Sequence, residues 1–181
     1  MHQLTQRNRS SRAIPGGTGG VTTIELLVAL VIAAILTAVS LPLFATTLQF
    51  SRLDGAARKI GGDLRYVQSL AVSQGNLFRI HSGDEGSVQP GRYRIEKSTD
   101  GGGTWTGITQ WYLLSTEFTG ASLASIKNNA GGTIYEVRFN SRGTCVNCIT
   151  GGNTPPLVVS VSSPSGTRTV QVRTTGSVSI Q

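Results

Sequence analysis

The sequence is poor in cysteine, histidine and charge. Two Cys among 181 residues cannot build a disulfide-rich scaffold. A four-ligand Cys/His zinc site would need both Cys and both His, yet His2 lies in a breaker-rich leader, so neither metal nor cofactor is expected. Charged residues make up 14% of the chain, with 9 acidic against 16 basic, a net charge of +7. Mean hydropathy is +0.00, so apolar residues must be concentrated somewhere. Only one long apolar run exists, which excludes a multi-pass membrane protein. Catalysis lacks a constellation: His81 stands alone on an expected strand, and Asp84-Glu85 falls in a Gly-rich loop. No phosphate-cradling loop precedes a helix at Gly61-Gly62 or at residues 101–103. An enzyme is therefore not expected. Alternating apolar residues through the second half argue against disorder, and no internal repeat is present.

The apolar run, residues 26–50, holds no charge, and 19 of its 25 residues are Ala, Val, Ile, Leu or Phe. A helix of that length spans ~37 Å at ~1.5 Å per residue, more than the ~30 Å hydrocarbon core. Core helices rarely stay apolar on all faces for so long, so a single membrane-spanning helix is expected. Before it, residues 1–20 carry Arg7, Arg9 and Arg12, no acid, and the breakers Pro15-Gly16-Gly17-Thr18-Gly19-Gly20. Positive charge beside the first apolar segment keeps that end cytoplasmic and puts the remainder on the far side of the membrane. The cleavable-looking glycines precede the apolar run, the reverse of an ordinary secretory signal. Glu25 is the only charge between Arg12 and Arg52. A carboxylate costs ~2.5–3.5 kcal/mol at the centre of an inserted helix and less near the interface. Glu25 either reaches the headgroups or finds a positive partner. Cleavage after Gly20 would supply one, the new α-amino group on Val21.

The stretch Gly20-Val21-Thr22-Thr23-Ile24-Glu25-Leu26-Leu27-Val28 resembles the type IV prepilin signature: a Gly, a cleavage point, and Glu fifth in the mature chain. Pro42 stands where many pilins carry a helix-kinking proline. Val21 replaces the commoner Phe or Met, and Thr23 the commoner Leu. The resemblance implies that a prepilin peptidase cuts after Gly20 and N-methylates Val21. It further implies that the mature chain joins other pilins in a helical filament, with Glu25 and Pro42 serving assembly.

Beyond residue 50 the apolar positions Leu53, Ala57, Ile60, Leu64, Val67 and Ala71 form one stripe of an amphipathic helix. Gly61-Gly62 weakens it by ~1 kcal/mol per Gly relative to Ala, and Gly75-Asn76 is a natural stop. One helix is expected from 21 to about 73; a membrane helix followed by a separate shorter one is the alternative. Gly62-Asp63-Leu64-Arg65 and Ser69-Leu70-Ala71-Val72-Ser73-Gln74-Gly75-Asn76 resemble the matching stretch of GspH/FimT-type pseudopilins and minor pilins. After residue 76 the period shortens. Strands are expected at 77–81, 92–97, 109–114, 133–140, 157–161, 167–174 and 177–180, separated by Gly, Pro, Asn and Ser clusters. The expected fold is α+β: a long N-terminal helix, transmembrane then amphipathic, followed by an antiparallel β-sheet or sandwich head. Its parts are a leader (1–20), a filament-core helix (21–50), the second half of the helix (51–75) and the head (76–181).

Three features of the head invite chemical readings. Ser98-Thr99-Asp100-Gly101-Gly102-Gly103-Thr104-Trp105 has the spacing of an Asp-box, read here as a structural hairpin, with exposed sugar binding as the weaker alternative. Cys145-Val146-Asn147-Cys148 is a lone CxxC. Residues 149–156 make a poor helix for a thioredoxin-like site, so a loop-shaping disulfide is expected outside the cytoplasm. After Glu136 there are no acids, while Arg138, Arg142, Arg168 and Arg173 remain: either solvated charges or a phosphate-binding face. DNA-binding members of the FimT group carry a C-terminal Gly-Arg-x-Arg motif. Here Gly176 matches, but Ser177 and Ser179 stand in place of both arginines, so at most weak DNA binding is expected. The function expected is that of a structural minor pilin or pseudopilin of a type IV pilus or type II secretion system. A DNA-uptake pilin is the alternative, and a membrane-tethered enzyme is the weakest reading.

Overall fold

The structure, a computed structural model, describes residues 20–83, 91–128, 132–148 and 156–181, without the side chains of 39 and 41–43. The leader arginines, the Asp84-Glu85 loop and the Pro42 side chain lie outside the described residues. The chain divides into two units, Met1–Leu41 and Pro42–Gln181.

Helix α1 runs Thr23–Gln74 as one element, which overturns the two-helix alternative. Thr22 opens it. The Glu25 N–H donates to Thr22 Oγ1 at 3.3 Å, and the Leu26 N–H donates to Thr22 O at 3.1 Å, so Thr22 serves as N-cap. Gly75, at φ +66°, ends the helix as expected. In the first unit the described side chains are exposed, among them Ile24, Leu30 and Leu36. Among the described residues, no helix is long and apolar enough to cross a membrane; the expected span includes residues 39 and 41–43.

The head comprises β1 (Leu77–Ser82), β2 (Arg92–Ser98), β3 (Thr106–Gly107), β4 (Tyr112–Leu113), α2 (Leu114–Glu117), β5 (Ser122–Lys127), β6 (Thr133–Ile134), β7 (Glu136–Phe139), β8 (Leu157–Ser163), β9 (Gly166–Val172) and β10 (Val178–Ile180). Sheet A has the order β3-β2-β1-β7, with β4 also on β2; sheet B has the order β10-β9-β8-β5-β6. Every pairing is antiparallel, so the α+β class holds.

The core forms where α1 meets both sheets. Leu53, Ala57, Ile60, Leu64, Val67 and Ala71 are all buried, as the stripe requires. Against them lie Phe78, Ile80, Tyr93, Val137 and Phe139 of sheet A, and Leu157, Val159, Val170 and Val172 of sheet B. Gly61 packs closely here. A Cβ on it would sit 3.2 Å from Ile180 Cδ1, so a larger residue would require the Ile180 side chain on β10 to shift by a few tenths of an ångström. The neighbouring Asp63-Leu64-Arg65 triplet pins the helix on both sides. Asp63 accepts Lys59 Nζ at 2.7 Å on each oxygen and Tyr93 Oη at 2.5 Å, on sheet A. Arg65 Nη2 donates to Val178 O at 3.0 Å, on sheet B. Leu64 fills the space between.

Three strand expectations need correction. The strand expected at 109–114 does not form. Thr109 Oγ1 instead accepts the Ile95 N–H at 2.9 Å, leaving only β4 before Leu114 opens α2. The strand expected at 133–140 splits at Tyr135. Ile134 pairs with Ile126 in sheet B, and Glu136 pairs with His81 in sheet A. One stretch of alternating residues thus crosses between sheets. Strand β5 was not expected from its sequence. A register shift between Leu123 and Ser125 puts the buried residues Leu123 and Ile126 three apart, hiding the period of two.

Leu64, 1% exposed, belongs to this core. Leu64→Ala is expected to destabilise the head by about 3 kcal/mol, the usual cost of such a cavity, read from urea unfolding. A loss near zero would mean that the helix is not integral to the head.

Candidate functional site

The N-terminal motif stands open. Gly20 and Val21 are exposed, Val21 at 71%. A Cβ added at Gly20 would meet nothing within 4 Å, so the structure itself does not demand glycine there. Glu25 lies in the first turn of α1, where negative charge suits the helix dipole.

In the head, ionic side chains gather on the outer face of sheet A, because strand alternation sends Phe78 and Ile80 inward and Arg79 and His81 outward. Glu96, fully buried, accepts Arg79 Nε on Oε2 and Arg94 Nη2 on Oε1, each at 2.5 Å. Arg79 Nη1 reaches Glu136 Oε2 at 2.5 Å, and Arg138 Nη2 donates to the other Glu136 oxygen. His81 Nδ1 is 3.6 Å from Glu96 Oε2. Two indole rings cover the network. Trp105 lies over Arg79 at 4.1 Å and Arg138 at 5.3 Å; Trp111 lies over Arg94 at 4.4 Å and Arg92 at 4.6 Å.

The Asp-box positions the first ring. Asp100 Oδ1 accepts Ser98 Oγ at 2.6 Å and the N–H groups of Gly103 and Thr104 at 3.0 and 2.9 Å. Trp105 Nε1 donates to Gly102 O at 3.1 Å. The Ser98 hydroxyl, followed by the Thr104 amide, holds the Asp100 carboxyl well below its usual range. The motif is thus a structural hairpin, as expected, and it aims Trp105 onto Arg79.

Cys145 and Cys148 form the expected disulfide, and its loop seals the open edge of sheet A. Val146 N–H donates to Arg138 O at 2.9 Å. The Asn147 side chain accepts the Arg138 N–H at 2.9 Å and donates to Glu136 O at 2.7 Å, imitating another strand.

The four C-terminal arginines do not form one set. Arg138 is engaged by Glu136 and Trp105. Arg168 is exposed on β9. Arg142 and Arg173 are exposed on two touching turns: the Cys145 N–H donates to Thr174 O at 3.0 Å, and a Cβ on Gly176 would overlap Gly143 O and Gln68 Nε2. Gly176, at φ +85°, therefore serves close packing. Ser177 and Ser179 are exposed. No metal-binding group of His, Cys, Asp or Glu occurs among the described residues. The sequence reading missed the Glu96–Arg79–Glu136 network. Its signal was the placement of Arg79, His81, Arg94, Glu96, Glu136 and Arg138 at alternate positions of three strands.

Against this geometry, the family model of the type II transport protein GspH matches residues 56–176. The chain belongs to the GspH family. The matched part runs from the helix stripe through both sheets to the turn at Gly176. Two solved structures share the fold. The type IV minor pilin FimU of Pseudomonas aeruginosa is 16% identical at a TM-score of 0.51, covering 72% of this chain and 89% of FimU. The minor pseudopilin EpsH of the Vibrio cholerae type II secretion system is 15% identical at 0.51, covering 72% of this chain and 96% of EpsH. None of these descriptions is of an enzyme. A comparison with curated proteins finds no significant match.

The network makes the stability of this GspH-family head acid-sensitive. Burial alone would raise the Glu96 pKa, but hydrogen bonds and charge from Arg79 and Arg94 outweigh it and hold the pKa below the usual carboxylate value. A lowered folded-state pKa contributes stability that is complete above the unfolded value and is lost as pH falls through the folded one. Urea midpoints of the wild-type head should therefore fall as pH drops below about 4, the ordinary Glu range. Glu96→Gln should cost about 3 kcal/mol at neutral pH and flatten that acid limb. Equal slopes for the two proteins would assign the acid sensitivity elsewhere.

Proposed function

We propose that the chain is a minor pilin or pseudopilin, inserted in the inner membrane, cleaved after Gly20 by a prepilin peptidase and assembled with other pilins into a filament. The observation that carries this reading is the register at the N-terminus. Gly20 and Val21 fall directly before a helix opened by Thr22, with Glu25 in its first turn, as the prepilin signature puts them, and the described apolar side chains of its first part are exposed. Membership of the GspH family supports it, as does the fold shared with FimU and EpsH, described as a minor pilin and a minor pseudopilin.

The mechanism follows from charge. The apolar run, residues 26–50, holds the uncleaved chain in the membrane, with its arginine-rich end cytoplasmic and its head periplasmic. Cleavage frees the Val21 amine, which the peptidase methylates. In a bundle of parallel apolar helices an unpaired carboxylate is costly, so Glu25 of one subunit neutralises the Val21 amine of the next. Pro42 allows the helix to bend within the filament. A DNA-uptake role has less support, because Glu136 neutralises Arg138 and the tail carries Ser177 and Ser179.

Since Gly20 has open space around it, Gly20→Ala leaves the fold untouched and isolates processing. Tagged Gly20→Ala protein should keep the mobility of the precursor on a gel, and a normal shift to the mature form would refute cleavage at this bond. Glu25→Val should leave insertion and cleavage intact while incorporation into sheared filaments, with partner pilins co-expressed, falls about tenfold or more. Wild-type incorporation would remove Glu25 from assembly.

A further inference from the structure

We propose that the outer face of sheet A is a docking surface for a short acidic segment of a partner protein, gripped by Arg94, Arg138 and the two tryptophans. This goes beyond filament membership and does not depend on N-terminal processing.

The face is charge-sorted in depth. Its carboxylates lie at the base, with side-chain exposures of 1% for Glu96 and 17% for Glu136, while Arg94 and Arg138 keep 33% and 34%. Solvent therefore meets cations and indole rings, although acids hold the network together. The arginines retain donors. Arg94 directs both Nε and Nη2 at a single oxygen of Glu96. Arg138 uses only Nη2 on Glu136. A guanidinium has five N–H groups, so each can still bind an incoming carboxylate.

The grip is already ordered. Carboxylates below and indoles above hold the guanidinium groups before any partner arrives, so little side-chain entropy is lost on binding. The Asp-box fixes Trp105 in the same way. Arg and Trp are also the residue types that dominate binding energy at interfaces. Leu113, paired across from Arg92 and 44% exposed, extends the face with an apolar rim on the same side of the sheet.

The charge count selects the partner. Among the described residues, the network sets Arg79, Arg94 and Arg138 against Glu96 and Glu136, an excess of one positive charge. Nucleic-acid binding draws its affinity from counterion release at many phosphates, about 6–10 in a typical complex, and this face offers too few. A carboxylate flanked by apolar side chains matches it, which describes an acidic protein segment.

The chain contains two tryptophans, both on this face, so intrinsic fluorescence reports on the site alone. Full-length protein in detergent micelles is titrated with an alternating Glu/Leu decapeptide, with its Lys/Leu counterpart, and with a DNA duplex. The Glu/Leu peptide should give a saturable, salt-sensitive change in emission that the Lys/Leu peptide does not. Leu113→Asp alters only an exposed rim residue and should weaken Glu/Leu binding about tenfold by charge repulsion at unchanged melting temperature. Arg94→Gln combined with Arg138→Gln should weaken it at least as much. No saturable change with the Glu/Leu peptide, equal affinity for Leu113→Asp and wild type, or a DNA duplex that binds as tightly as the peptide would each overturn the proposal.

Discussion

The head depends on one shared surface, the apolar stripe of α1 that both sheets cover. Neither sheet closes a core alone; each presents one apolar face and needs a partner for it. Asp63, Leu64 and Arg65 show the arrangement in miniature. Asp63 is tied to Tyr93 in sheet A, Arg65 is tied to Val178 in sheet B, and Leu64 is buried between them. Consecutive helix residues point in different directions, so three positions in a row can serve two sheets and the core. The Asp63 carboxylate also affects its partner, because burial, followed by this bond, pushes the Tyr93 hydroxyl pKa far above its ordinary value.

With the inner faces committed to packing, the outer face of sheet A and the apolar half of α1 lie outside the core. The two surfaces have opposite character. The N-terminal helix is apolar and exposed, which suits burial among like helices. The outer face of sheet A is cationic and aromatic over buried carboxylates. A buried ion pair alone is weak evidence for stability, since desolvation offsets its attraction. Here the pairs order the arginines beneath two indoles, a specific geometry that an apolar patch of equal area would lack.

Two local devices keep that face in shape. The Asp-box closes the turn after β2 and sets Trp105 over Arg79. The disulfide loop supplies Val146 and Asn147 to the backbone of β7, so the edge next to Arg138 is not left open to another strand. Both motifs were legible as hairpin and disulfide, yet their spacing said nothing of what they touch.

The sequence alone determined whatever is local or periodic. The extent of α1, its buried stripe, the α+β class, the Cys145–Cys148 disulfide and most strands follow from spacing, because backbone geometry turns spacing directly into a face. Tertiary structure decided what depends on pairing across long separations. It divided residues 133–140 between two sheets at Tyr135, hid β5 behind a register shift, gave Gly61 and Gly176 their packing roles, and separated Arg138 from Arg142, Arg168 and Arg173. It also assembled Arg79, Glu96 and Glu136 from three strands into one network. Partners so far apart in the chain are selected by the register of the sheet and by the cost of burying an unpaired charge, and neither leaves a period in the sequence.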